Sequence, residues 1–250
     1  MQHITAIGFD LFDTLITVRH LGRAETLGRL LDSLKSSGFT FADDVFISLY
    51  RAAARRFSEA AHQAGQETHN RYWISAALQG VGYNVEPEDA RLSLAVEAYF
   101  SAFVDYARPI PGTLEMLTAL HGRYRLGLLS NLTHAPAALR LIDQLGMAPF
   151  FDVVLVSGKL GYRKPHPRVF QALIEQFKVP KEQTAFVGDN LDADIKGAQQ
   201  AGIQPIWMHY DVQPQKTLEA QGLADPPPPM TPSVPTVTSW QDLLDLLHVA

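Results

Sequence analysis

The 250-residue chain is 46% hydrophobic and 19% charged, which supplies a sizeable buried core and argues against wholesale disorder. A formal net charge of -5 speaks against a general nucleic-acid binder, and the absence of cysteine excludes disulfides, thiolate catalysis and cysteine-ligated zinc. No apolar run is long enough to span a bilayer, and Met1 leads almost directly into a strand pattern, so the expectation is a soluble, cytoplasmic protein.

In chain order, Ile4 to Phe9 is a short apolar run that stops at Asp10 and predicts a buried strand. From about Arg23 to Gly82 the period changes to helical. Leu27, Leu30, Leu31 and Leu34 share a face, and Gly38 stands where a helix stop belongs. Thr40 and Asp43 predict a capping box for the next helix, which carries Phe46, Leu49, Ala53, Phe57 and Ala60 on one face. A shorter helix holds Trp73 and Ala77. Pro87 suits the first position of a fourth, with Leu92, Val96, Tyr99 and Phe103 along one stripe.

After Pro109 and Pro111 the regime alternates. Helical patterns at Leu114 to Leu120, Ala135 to Leu145, Val169 to Phe177 and Ala193 to Ala201 separate strand-like runs at Tyr124 to Leu129, Val153 to Val156, Thr184 to Val187 and Ile203 to Met208. That alternation predicts βαβ units and a parallel sheet. The fold class expected is therefore α/β: a Rossmann-like parallel-sheet core, residues 1–15 and 109–250, with a helical-bundle cap, residues 16–108, inserted after the first strand. Ala224 to Val237 is proline-rich and reads as a surface connection, and Trp240 to Val249 as a closing helix.

Four polar stretches follow or lie just beyond the apolar runs, at the carboxyl ends where open parallel sheets bind ligands. Asp10 can attack phosphorus as a carboxylate nucleophile, with Thr14 orienting its loop. Ser130 and Asn131 offer a hydroxyl and backbone N–H groups to phosphate oxygens. Lys164, its loop restricted by Pro165 and Pro167, offers a fixed cation, with Arg163 as the weaker alternative. Asp189 and Asp194 offer hard oxygen ligands for Mg²⁺, which would also relieve their repulsion with Asp10. Each stretch alone also fits an ordinary turn, cap or solvated surface group.

In this order the four stretches resemble the haloacid dehalogenase-like hydrolase superfamily over nearly the whole chain. The resemblance implies Asp10 as nucleophile, Ser130 and Lys164 as phosphate and charge stabilisers, and Asp189 as metal ligand supported by Asp194, with the backbone carbonyl of Phe12 as a further ligand. Phosphatases of the superfamily carry a second Asp two positions after the nucleophile as general acid and base. Here that position is Phe12, and an Asp follows at Asp13. Either Asp13 or a cap residue takes that task, or the leaving group needs little protonation, or activity is low. An aromatic residue at this position is similar to the dehalogenase branch, whereas Gly188-Asp189 with Asp194 is similar to metal-dependent members.

The expected function is a Mg²⁺-dependent phosphatase of small phosphorylated metabolites, a monomer or homodimer with no nucleic-acid or membrane partner. The alternatives are a metal-independent 2-haloacid dehalogenase, and a weakly active or inactive binding protein. Cap residues weighed for substrate choice are Arg19, His20, Arg23, Arg71, Tyr72 and Trp73, with His62 and His69 as proton carriers.

Overall fold

The computed structural model describes residues 3–18, 20–210 and 233–249, and of residues 20–24 the backbone alone. Arg19, the side chains of His20 and Arg23, and the part of the proline-rich stretch from Ala224 to Pro232 lie outside the described residues.

Strand β1 (Ala6–Phe9) leads through the Asp10 loop to a short strand β2 (Ile16–Val18). Helices α1 (His20–Ser36), α2 (Asp43–Ala64), α3 (Arg71–Gly80) and α4 (Ala90–Tyr106) follow, and strand β3 (Ala107–Pro109) returns beside β2. Then come α5 (Thr113–Leu120), β4 (Arg125–Ser130), α6 (Ala135–Gln144), β5 (Val153–Val156), α7 (Ser157–Leu160) and α8 (Pro167–Phe177). Strand β6 (Thr184–Gly188), a π-helical turn (Leu191–Lys196), α9 (Gly197–Ala201), β7 (Gln204–Met208), β8 (Thr236–Val237) and α10 (Trp240–Leu246) complete the described chain.

Six strands form one parallel sheet in the order β5-β4-β1-β6-β7-β8. This is a doubly wound order with β1 central, and it opens a crevice at the strand carboxyl ends where the order reverses. β1 is buried at every position, as a strand covered on both faces must be. Gly8 of β1 and Gly127 of β4 are register partners. A Cβ at Gly8 would lie 2.6 Å from Leu173, and one at Gly127 2.5 Å from Phe177, so the pair of glycines lets α8 sit close against the sheet.

The helical block packs α1 along α4 and α2 along α3, with α4 also meeting α6 of the core. Leu92, Val96, Tyr99 and Phe103 are buried as their spacing predicts. The buried stripe of α2 is Phe46, Tyr50, Ala53, Ala54 and Ala61, which leaves Ala60 exposed.

Several boundaries differ from the sequence expectation. α2 starts at Asp43 with Ala42 as cap and no side-chain cap bond, so Thr40 and Asp43 form no capping box. A capping box is instead found at the start of α10, built from Ser239 and Asp242. Pro87 lies in a turn, and α4 begins three residues later behind Asp89, whose carboxylate accepts the Arg91 N–H. The polar head of the predicted 193–201 helix is a π-helical turn, and Thr236–Val237 of the expected connection pairs with β7 as an edge strand. The helices are also flanked by a two-stranded antiparallel ribbon, β2 against β3, whose three-residue runs were too short to announce it. Among the described residues, no helix is long and apolar enough to cross a membrane.

Candidate active site

Asp10 is the first residue past β1, and its backbone N–H bonds to the Val187 carbonyl as the last rung toward β6. Its carboxylate is nearly buried and meets Lys164 Nζ at 2.5 Å. The same ammonium lies 2.7 Å from Asp194 Oδ1. Carboxylate oxygens of Asp10, Asp189 and Asp194 all fall within 4.8 Å of one another, close enough together that they could hold a metal ion.

The sequence supplies each position locally. Asp194 sits in the π-helical turn after β6, and its Oδ2 accepts the Asn190 N–H at 3.0 Å. Asn190 in turn caps that turn by accepting from the N–H groups of Asp192 and Ala193. Gly188 is required by the same packing, because a Cβ there would overlap the Asp194 carboxyl group. Asp189 is half-buried, accepts a bond from Thr14 Oγ1 at 3.3 Å, and has its carbonyl held by Trp207 Nε1 at 2.9 Å. Thr14 thereby links the Asp10 loop to the Asp189 loop, and its own carbonyl accepts from the Tyr210 hydroxyl at 2.6 Å.

Asn131 holds the lysine rather than leaving its amide free. Its Oδ1 accepts the Lys164 N–H at 2.8 Å and its Nδ2 donates to the Lys164 carbonyl at 3.0 Å. Ser130, at the end of β4, is fully buried, and its hydroxyl has no hydrogen-bond partner among the described residues. A buried, unpartnered hydroxyl is costly unless something binds it. Arg163 turns away from the cluster toward Glu67, so the cation beside Asp10 is Lys164.

Burial pushes the Asp10 carboxyl up to about 7; Lys164 opposes this and the neighbouring Asp194 charge adds to it. Burial works against the Lys164 charge, but Asp10 and Asp194 together outweigh it and hold the ammonium above its ordinary value. Lys164 therefore stays a cation paired with Asp10 and Asp194, and the third carboxyl group of the cluster, Asp189, leaves an excess of negative charge.

Phe12 is only half-buried and sets its ring edge-on to Phe103 of α4, with centroids 6.1 Å apart. The Phe12 ring thereby joins the Asp10 loop to the helical block. Asp13 follows with φ +61, is nearly buried, and its N–H bonds the Ile16 carbonyl. It is not a member of the Asp10–Asp189–Asp194 cluster.

Among the residues weighed for substrate choice, Tyr72 is exposed and lies beside Phe57. Trp73 packs near Tyr50, and its Nε1 is buried without a partner among the described residues. His62 is exposed, 3.8 Å from Asp192. His69 approaches His134 of the core at 3.4 Å, and His134 Nε2 meets Glu97 of α4 at 2.7 Å. His134 and Glu97 carry no motif signal, since their neighbours come from distant segments.

Residues 4–202 match the family described as haloacid dehalogenase-like hydrolase. The chain belongs to that family and is a hydrolase of it. A glyceraldehyde 3-phosphate phosphatase of Pyrococcus furiosus is 25% identical over 90% of this chain and 89% of its own length. A pyrimidine 5'-nucleotidase of Escherichia coli is 31% identical over 53% of this chain, and the match spans 57% of that protein's length, less than two thirds. The magnesium-bound structure of the YfnB protein of Bacillus subtilis superposes with a TM-score of 0.65 at 22% identity, covering 99% of this chain and 100% of that one.

Proposed function

We propose that this hydrolase is a Mg²⁺-dependent phosphatase of small phosphorylated metabolites that works by double displacement on Asp10. The observation that carries the reading is the convergence of three carboxylates, from Asp10, Asp189 and Asp194, at the carboxyl end of the sheet, two of them, Asp10 and Asp194, paired with the buried Lys164. Relatives named as phosphatases support a phosphate ester as substrate.

The donor set is all oxygen, carries excess negative charge, and fits a hard divalent cation. Asp10, Asp189 and Asp194, with the Phe12 carbonyl, are the residues that would hold it. When bound, Mg²⁺ offsets the repulsion among the carboxylates and neutralises charge on the phosphoryl oxygens.

The Asp10 carboxylate attacks phosphorus, the ester oxygen departs and takes a proton, and an acyl phosphate remains on Asp10. Water then attacks that phosphorus and restores the carboxylate. Lys164 lowers the repulsion between Asp10 and the incoming anion and stabilises charge in both transition states. The Ser130 hydroxyl and the N–H groups beside it hold a phosphoryl oxygen, Asn131 fixes Lys164, and Thr14 ties the two acidic loops together. Asp13 is the nearest carboxyl in sequence to the acid–base position that Phe12 occupies, and serves leaving groups that need a proton. Residues 16–108 act as the cap over a core of 1–15 and 109–250, and closure of the cap restricts the site to small substrates.

Metal-free dehalogenation is the competing reading. It needs a nucleophile, a cation and one further carboxylate to activate water, which leaves one carboxylate of this cluster without a use. Turnover of p-nitrophenyl phosphate by the full chain should require Mg²⁺, stop with EDTA, and fall by more than about 10³-fold in Asp10→Asn. Halide release from a 2-haloacid in the presence of EDTA would replace this reading with the dehalogenase.

A further inference from the structure

Between α2 and α3 the chain makes a short excursion onto the core. The Arg163 N–H donates to the Gly65 carbonyl at 3.1 Å, the Glu67 N–H donates to the Gly161 carbonyl at 3.0 Å, and Gln66 and Tyr162 form an antiparallel bridge. Gly65 has φ +66, and a Cβ there would lie 2.5 Å from the His166 ring, so the two segments approach closely at this point. The helical block is thus strapped to the core immediately beside Lys164.

The strap carries a carboxylate. Glu67 has a side chain only 3% exposed. Its Oε2 accepts from the Ser157 hydroxyl at 2.6 Å, and its Oε1 accepts from the Thr68 N–H at 3.0 Å and lies 3.5 Å from Arg163 Nη1. Ser157 Oγ accepts the Leu132 N–H at 2.9 Å. Leu132 directly follows Asn131, Arg163 directly precedes Lys164, and Asn131 clamps the Lys164 backbone from both sides. The contacts close a ring: Glu67, Ser157, Leu132, Asn131, Lys164, Arg163 and back to Glu67.

We infer that Glu67 is a positioning residue that couples docking of the helical block to the placement of Lys164 against Asp10. The inference rests on the reading of Asp10 and Lys164 as the reacting pair. A carboxylate this deeply buried is tolerated only while its donors surround it. Docking therefore demands that Ser157 and Arg163 stand in place, and through them the two loops that carry Asn131 and Lys164. Ser157 has an alternative acceptor in the Leu132 carbonyl at 3.3 Å, so its hydroxyl can turn there when Glu67 leaves. Undocking releases the ring on the side of the lysine. Misplacement of a catalytic group by about 1 Å costs roughly 10²-fold in rate.

The test uses the full chain with Mg²⁺ and p-nitrophenyl phosphate, with Glu67→Ala, Glu67→Gln, Ser157→Ala and the double alanine variant. Glu67→Ala should lower kcat by about 10–100-fold with KM changed less than about threefold. Glu67→Gln keeps an oxygen for the Ser157 hydroxyl and should recover most of that loss. The double variant should be no worse than the poorer single one, as coupled neighbours require. Amide exchange at 129–135 and 161–165 should quicken in Glu67→Ala, while the β6 amides stay protected. Wild-type kcat in Glu67→Ala, or losses that multiply in the double variant, would overturn the inference. If wild type fails to hydrolyse the ester, the phosphatase reading falls, and the exchange measurement alone judges Glu67: unchanged protection at 129–135 overturns it. Should Glu67→Ala not fold, Ser157→Ala carries the expected loss with Glu67→Gln as its near-wild-type control, and wild-type kcat and unchanged exchange at 129–135 in Ser157→Ala would overturn the inference.

Discussion

Phe12 and Gly188 show how single residues set the chemistry. In the phosphatase mechanism proposed above, Phe12 occupies the acid–base position, and its ring packs on Phe103. Phe12→Asp should raise kcat on an alkyl phosphate by about 10²-fold or more, with a smaller gain on an aryl ester whose leaving group needs no proton. It should also cost about 1 kcal/mol of stability by removing the edge-on ring contact. Parallel rate and melting measurements on the two substrates check both halves, and no gain on the alkyl ester would assign the proton to another group. Gly188 is no ligand, yet a methyl group there would displace the Asp194 carboxyl. Gly188→Ala should therefore raise the Mg²⁺ concentration for half-maximal activity by about tenfold or more. A metal titration of activity reads this directly.

Among the elements, the contact of α8 with the central strands depends on two bare positions. Gly8 and Gly127 face each other across β1 and β4, and Leu173 and Phe177 of α8 fill the space. Gly127→Val forces α8 outward and should lower stability by about 1–3 kcal/mol, seen as a lower urea midpoint at unchanged m-value. The strands themselves were legible from short apolar runs: Val153 to Val156 matches its predicted bounds, and β1, β4, β6 and β7 fall within a few residues of theirs. The helix caps were less so. Thr40 and Asp43 have the right spacing for a capping box, but the chain starts its helix at Asp43 itself. Ser239 and Asp242 have the same spacing and do form one. Spacing states that a cap is available, and the entry path of the chain decides whether it is used.

Across the molecule, helical block and core meet through titratable groups. His69 and His134 touch each other, Glu97 and Arg140 pair beside His134, and Arg71 lies near both rings. Burial first, then Arg71 and His134, holds His69 down to about 4. Burial also lowers His134, against the pull of Glu97. With both folded values depressed, the unfolded chain binds more protons as pH falls below about 6.5, so this contribution to stability is complete above that pH and declines toward pH 4. Asp10 has the opposite sign, because its raised value makes the folded chain hold the extra proton between about 4 and 7. The difference between wild type and His69→Asn isolates the imidazole: the fall in Tm from pH 7 to pH 5 should be smaller in the variant. Equal falls would place the pH dependence elsewhere.

The order of helices and strands, with its run of four helices early in the chain, and the acidic and cationic loops could be read along the chain, because periodicity and loop chemistry are written within a few neighbouring residues. Asp10, Ser130, Lys164 and Asp189 each announced themselves by following or lying just beyond an apolar run. Glu67, Ser157 and His134 did not. Glu67 and Arg163 are 96 residues apart, and each resembles an ordinary polar side chain until the fold sets them together. Contacts of that separation depend on how two blocks pack, and packing is a property of surfaces that no local stretch contains.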